Sequence, residues 1–345
     1  YLPTYVRWAK HLGFDHIMVA TNGLRISQNG EYVRRLRQAG MNTLYLQFDG
    51  MSRQSNVATR GLDLRQVKDR VLEHCRAASL DGVILVPTII KGVNDGQLGD
   101  MVRFAVFNRD IVRCINFQPV SITGRIDYAR RQLMRITIPE VIQKIAEQTR
   151  GRITQHDWYP VASMMAVGRA LGLMKGIPTV ELHAHFACGM ATFLVIDKDG
   201  SYVPITQMVD LEKILQTLED ICNLYADQKP FSGPRATWKL LGLLRRIQTK
   251  SRLNQILASF LKKGTYASLA KFMHNVIMLG MMHFQDPFNM DLERIRHCAI
   301  HYATPDGRLI PFCAYNSFHR AATEMNYIRS SICNAEREQQ AIENL

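Results

Sequence analysis

The stretch Thr43-Leu-Tyr-Leu-Gln-Phe-Asp-Gly-Met51 decides how the chain folds. An apolar run of strand length, Thr43 to Phe48, stops at Asp49-Gly50, a turn pair that leaves a carboxylate at the strand's C-terminal end. Working outward, the same grammar repeats. A helix through Val6, Trp8, Ala9 and Leu12 is expected to end at Gly13. A strand over His16 to Ala20 is halted by Thr21-Asn22-Gly23, and a helix from Tyr32 to Ala39 also ends in Gly. Downstream, a helix from Asp63 to Ala78 leads through Asp81-Gly82 into a strand over Val83 to Val86. A further helix, Gln97 to Asn108, precedes a strand at Cys114 to Gln118. This alternation predicts an α/β fold, a parallel sheet covered by helices.

In parallel α/β sheets the chemistry sits where the strands end. The ends here read Ala20-Thr21-Asn22-Gly23, Phe48-Asp49-Gly50-Met51, Pro87-Thr88 and Gln118-Pro119-Val120-Ser121. Each is polar or carries glycine directly after an apolar run, and together they point to a ligand rim. Taken singly, Asn22 could only shape a turn and Thr88 could only cap a strand.

From about residue 150 the character changes. Glu181 to Gly189 packs His183, His185 and Cys188 into a short stretch that leads into a hairpin, Thr192 to Asp197 and Ser201 to Ile205, around Lys198-Asp199-Gly200. A second hairpin turns at Pro305-Asp306-Gly307 and sets Cys298 opposite Cys313 within one residue of register. Cys188, Cys298 and Cys313 could converge on one metal, as an iron–sulfur cluster or a structural zinc, with His183, His185 or His301 as a fourth ligand. The metal reading is favoured; the alternative is that they are buried small hydrophobes, the reading that suits Cys75, Cys114 and Cys222. Cys333 lies in a polar terminal stretch and is assigned nothing. Trp238 to Lys263 repeats apolar residues at helical spacing among Arg245, Arg246, Lys250, Arg252, Lys262 and Lys263. Tyr266 to Met282 reads as a second, Met-rich helix. Two helices packed on a core with a basic face explain this pair. An acyl-chain tunnel or a surface for peripheral membrane contact is the sharper alternative.

The whole chain of 345 residues carries a net charge of +13, which favours anionic partners. Its basic residues interleave with aliphatics and no aromatic stacking motif accompanies them, which argues against nucleic acid. No CxxC pair, no signal-peptide pattern and no apolar run of membrane-spanning length occurs. A cytoplasmic location is expected, with membrane association as an alternative. His156-Asp157 and His283 to Asp286 read as structural polar groups.

The segments ATNG, QFDGM, VPTIIKGVND (Val86 to Asp95) and FQPVSITGRI (Phe117 to Ile126) resemble strands three to six of the radical S-adenosylmethionine (SAM) partial barrel. HAHFACGMATFLVIDKDGSYVPIT, HFQDPFNMDLERIRHCAIHYATPDGRLIPFCAYNSFHR and DWYPV (Asp157 to Val161) resemble the archaeal tetraether lipid synthase and dihydro-hydroxymethylpterin dimethyltransferase group. The resemblance implies a partial (βα) barrel over residues 1–148, incomplete at its N-terminal side, and an α+β auxiliary-cluster domain over 149–345. It implies SAM contacts by Asn22, Asp49, Thr88 and Gln118, and auxiliary iron–sulfur ligation by Cys188, Cys298 and Cys313. The group's CxxxCxxC motif, which holds the SAM-cleaving 4Fe-4S cluster, is absent from these residues, so the sequence is expected to be an N-terminally truncated piece. The activity implied is 5′-deoxyadenosyl-radical chemistry on an unactivated carbon, fed by an electron donor protein. Coupling of isoprenoid lipid chains is the leading substrate reading, and methylation of a reduced pterin is the alternative. A zinc-stabilised lipid-binding protein without catalysis is the alternative class.

Overall fold

The computed structural model describes residues 1–123, 126–166, 169, 184–197, 199–225 and 275–327. Its main sheet carries β1 (Met18–Thr21), β2 (Thr43–Gln47), β3 (Val83–Val86), β5 (Val112–Pro119), β9 (Val276–Met282), β7 (Gly189–Ile196) and β6 (Tyr159–Pro160), in that spatial order. β4 (Thr88–Ile89) pairs with β5, and β8 (Tyr202–Pro204) with β7. The run from β1 through β2, β3 and β5 to β9 is parallel. β7 is antiparallel to β9, and β6 and β8 are antiparallel to β7. The expected α/β sheet is present, with β3 at its expected bounds and the other early strands within about two residues of theirs.

Helices α1 (Leu2–His11), α2 (Leu24–Gln28), α3 (Gly30–Gln38), α4 (Arg53–Arg60), α5 (Arg65–Ala77), α6 (Leu98–Phe107), α7 (Tyr128–Met134) and α8 (Ile138–Gln148) follow the alternation. Their ends have local causes. Gly13 adopts a left-handed φ of +90° just past α1, as a C-terminal glycine should. The Asn29 side chain accepts the Glu31 backbone N–H at 3.0 Å to start α3, and Thr137 with Glu140 forms a capping box on α8. Val71, Leu72 and Cys75 of α5, Met101, Val102 and Ala105 of α6, and Val141 and Ile145 of α8 bury Leu44, Leu46, Leu85, Ile115 and Phe117 of the sheet. Burial pushes the thiols of Cys75 and Cys114 up to about 12, so both are inert core residues.

One expectation is corrected. The run Tyr266 to Met282, expected as a helix, contains a strand over Val276–Met282, with residues 266–274 outside the described residues. An apolar run buried on both faces has no period that separates strand from helix. Its place in the middle of the sheet, parallel to β5 and antiparallel to β7, supplies the hydrogen bonds that decide it. Through β9 the sheet runs across residue 148, the boundary expected from sequence. Both expected hairpins are present: Ile196 pairs with Tyr202, and β10 (His301–Ala303) pairs with β11 (Leu309–Pro311). The basic stretch 238–263 lies outside the described residues. Among the described residues no helix is long and apolar enough to cross a membrane.

The turn after β1 requires glycine. Gly23 has a φ of +85°, and a Cβ there would lie 2.9 Å from Val71 Cγ2 and 3.0 Å from Leu46 Cδ1. Gly23→Ala is expected to lower stability by about 1–3 kcal/mol, from left-handed strain plus overpacking, measured by urea unfolding. An unchanged midpoint would mean the turn relaxes without that conformation.

Candidate functional site

A parallel strand covered on both faces usually reads as a continuous apolar run. β2 departs from that rule. Leu44 and Leu46 are fully buried under the helices, while Tyr45 and Gln47 alternate with them onto the opposite face. β5 repeats the pattern, with Ile115 and Phe117 buried and Asn116 and Gln118 on the face shared with Tyr45. The polar faces and the strand ends enclose a cavity of about 560 Å³, lined among others by Thr21, Asn22, Tyr45, Gln47, Arg60, Thr88 and Gln118.

Inside it, the Tyr45 hydroxyl accepts hydrogen bonds from Asn116 Nδ2 at 2.5 Å and Gln118 Nε2 at 2.8 Å. Burial raises the Tyr45 pKa and the Asn116 hydrogen bond opposes the rise. The phenol therefore stays protonated, with its own O–H left to donate toward a ligand.

Of the four residues expected at the rim, Asn22, Thr88 and Gln118 line the cavity. Asp49 lies behind it, only 2% exposed. Its Oδ1 accepts the Thr88 backbone N–H at 3.0 Å and its Oδ2 accepts Arg60 Nε at 2.6 Å. Asn94 Nδ2 donates to the Asp49 carbonyl at 2.7 Å. Asp49 thus positions Arg60, whose guanidinium reaches the cavity in its place. Lys68, 4% exposed on α5, donates from Nζ to the Asn22 carbonyl at 2.5 Å. Sequence reasoning missed Tyr45, Gln47, Asn116, Arg60 and Lys68. The polar alternation in β2 and β5 was a readable signal for the first three; Arg60 and Lys68, on helices, gave none.

At the far side of the sheet the three expected metal cysteines come into one neighbourhood. Cys188 precedes β7 and its carbonyl accepts the His283 backbone N–H at 3.0 Å. Arg294 donates from Nε to the Cys188 Sγ at 3.4 Å and from Nη2 to the His283 carbonyl at 2.6 Å. Cys313 is buried, and its Sγ accepts the Gln285 N–H at 3.3 Å. Burial raises its thiol pKa, and nearby Cys298 and Cys188 add to the rise. Cys298 donates instead to the Ile300 carbonyl at 3.0 Å. Among the described residues no group of three His, Cys, Asp or Glu side chains is arranged to hold a metal ion. His185 accepts the Ala187 N–H through Nδ1, His301 is exposed, and His183 lies outside the described residues. His283 is neutral: burial, Arg294 and Arg135 bring its pKa down to about 4.

The other polar groups noted in the sequence have structural employment. Asp157 closes a capping box with Thr154 and accepts from Gln207 Nε2 at 3.0 Å. Asp286, fully buried, accepts the Ile122 N–H at 2.8 Å and pairs with Arg135 at 2.9 Å.

The comparisons with known proteins give the fold a family. The radical SAM superfamily domain matches residues 4–105, and the chain belongs to that superfamily of enzymes. It is 38% identical over 336 residues to 7,8-dihydro-6-hydroxymethylpterin dimethyltransferase of Methanocaldococcus jannaschii, covering 94% of this chain and 66% of that protein. It is 25% identical over 211 residues to a GTP 3′,8-cyclase of Ectopseudomonas mendocina, and 24% over 196 residues to one of Campylobacter curvus. The chain spans 59% and 56% of the lengths of those two cyclases.

The superfamily implies SAM and a 4Fe-4S cluster. The cavity fits SAM in size and chemistry: amide and hydroxyl groups for a nucleoside, and a guanidinium for an amino-acid carboxylate. The cluster does not fit the residues present. The seven cysteines of the sequence contain no CxxxCxxC, and no described cysteine lines the cavity.

Lys68 yields a test with a definite sign. Burial lowers its pKa from the ordinary 10.5 to about 8, with Asp49 opposing and Arg60 assisting. Between those values the unfolded chain holds more protons, so stability rises with pH; below about 8 the cost of the buried ammonium is present in full. Lys68→Met is expected to abolish the rise in unfolding free energy between about pH 8 and 10. A slope that persists in the variant would assign it to another group.

Proposed function

We propose that this chain forms the SAM- and substrate-binding part of a radical SAM enzyme that methylates a reduced pterin. The observation that carries the reading is the 38% identity to the pterin dimethyltransferase across 94% of this chain. The lumen supports it. A pterin is a flat heterocycle with hydrogen-bonding edges, matched by the Tyr45 phenol and the Asn116 amide. Two isoprenoid chains would bury those polar groups against hydrocarbon, at a cost of about 1–3 kcal/mol for each left unpaired. The lipid reading rested on two apolar helices. One of them is corrected in its C-terminal half to the sheet strand β9, and the stretch 238–263 lies outside the described residues.

In this reading SAM, when bound, would supply the 5′-deoxyadenosyl radical, and the methyl group would come from a further one-carbon donor. The chain's own residues bind and orient. Asn22, Thr88 and Gln118 hold the nucleoside, Arg60 takes the carboxylate, and Asp49 fixes Arg60 in place. Radical generation needs three further thiolates and an electron donor protein, neither supplied by these residues.

The test is direct. Full-length protein, purified without oxygen, is given excess SAM, a low-potential reductant, a methylene-bearing reduced pterin as one-carbon donor and 7,8-dihydro-6-hydroxymethylpterin. One or two methyl groups added to the pterin, read by mass spectrometry, is the expected result. Coupled isoprenoid chains in a parallel lipid reaction, with the pterin unchanged, would restore the lipid reading.

For the cysteine neighbourhood we propose auxiliary-cluster ligation by Cys188, Cys298 and Cys313. It requires Arg294 to release Cys188 and the Cys313 thiol to ionise. Each of Cys188→Ala, Cys298→Ala and Cys313→Ala should then lose about one cluster's worth of iron from the full-length protein. Iron unchanged in all three would return these cysteines to the core.

A further inference from the structure

We propose that a second cavity, on the outer face of the helical layer, binds a phosphate-bearing small molecule. It lies where α1, α2 and α3 meet, has a volume of about 420 Å³, and takes one arginine from each helix: Arg7, Arg25 and Arg35. No Asp or Glu lines it.

The state of these arginines distinguishes them from a solvated basic face. On α3 itself, Arg34 pairs with Glu31 at 2.6 Å and Arg37 donates to the Ala78 carbonyl at 2.7 Å. Among the described residues Arg7, Arg25 and Arg35 have no ion pair and no side-chain hydrogen bond. The Arg25 guanidinium instead stacks 4.2 Å from the centroid of buried Tyr32, which fixes its plane without consuming its donors. Three guanidinium groups converging on one concavity repel each other and raise the local positive potential. An anion relieves that repulsion. Arginine's planar fork matches phosphate oxygens in pairs, and the volume falls in the range of small-ligand pockets, about 300–1,000 Å³. That is roomier than a lone phosphate needs, which favours a diphosphate or a phosphate ester. A lipid headgroup would offer the same chemistry, but the site is a concavity between helices rather than a flat basic surface. Helix α2 separates the two cavities: Leu24 lines the first and Arg25 the second.

The experiment is isothermal titration of the full chain with pyrophosphate, with inorganic phosphate and with phosphatidylglycerol vesicles, repeated on Arg25→Gln, Arg35→Gln and Arg34→Gln. The expected result is one saturable site that prefers pyrophosphate to phosphate. Affinity should fall at least about tenfold in Arg25→Gln and in Arg35→Gln and stay unchanged in Arg34→Gln. All three positions are exposed, so equal thermal melting of the variants confirms folding. Binding that does not saturate, or that ignores Arg25→Gln and Arg35→Gln, overturns the proposal. Heat released by vesicles but not by pyrophosphate overturns it too, and assigns the arginines to a lipid surface.

Discussion

The cavity depends on how one buried carboxylate is satisfied. Asp49 sits at the end of β2 with almost no access to water, and an unpaired carboxylate there would cost several kcal/mol. Its partners are therefore obligatory, and each is a piece of the site. One oxygen takes the Thr88 N–H and so fixes the end of β3 against the end of β2. The other takes Arg60 and swings α4 over the strand ends. The Asp49 carbonyl is tied to Asn94, whose Nδ2 also reaches the Thr88 carbonyl at 2.7 Å. The loop beyond is held by Gln97, which accepts the Met51 N–H at 2.7 Å. The ends of β2 and β3 and the loop that follows are thus bound to one another before any ligand arrives, the rigidity a binding rim needs.

The lumen shows the same economy. Alternating polar and apolar residues in β2 and β5 keep Leu44, Leu46, Ile115 and Phe117 under the helices and turn Tyr45, Asn116 and Gln118 inward. Amides that already donate to Tyr45 leave its O–H as the group with a bond still to make. A pocket so built selects a ligand with acceptors along its edge and rejects pure hydrocarbon, because stripping water from these groups without replacement is costly. The proposed substrate class rests on that polarity more than on the basic charge of the chain.

Beyond residue 148 the chain closes the sheet and braces it. β9 inserts beside β5 with seven strand residues, and β7 returns antiparallel across it. Asp286, in the loop that follows β9, accepts the Ile122 N–H and pairs with Arg135, while Ser121 Oγ donates to the Gln285 carbonyl at 3.2 Å. The loop after β5 is thereby locked to the segment after β9. The two hairpins and the cysteine neighbourhood hang from this brace, with Arg294 bridging Cys188 and the His283 carbonyl.

By itself the sequence determined what depends on neighbours along the chain. Strands β1, β2, β3 and β5, helices α1, α3, α5 and α6, the stops at Gly13 and Gly23, both hairpin turns and the rim positions Asn22, Thr88 and Gln118 are set by local propensity and turn chemistry, whereas the short α2, α4 and β4 carry no such signal. Polar alternation in Thr43–Gln47 was written there too, and it marks a lumen as soon as the strand is known to be parallel and covered. Tertiary structure alone decided the rest. Val276–Met282 is a strand because β5 and β7 offer it hydrogen bonds, and a doubly buried apolar run has no period of its own. Asp49 left the rim and Arg60 took its place because burial demands a partner for the carboxylate, and that partner, though only eleven residues away, comes from a different element. The convergence of Arg7, Arg25 and Arg35 is likewise invisible in a linear chain, since each sits on its own helix and only the packing of three helices puts their charges in one cavity.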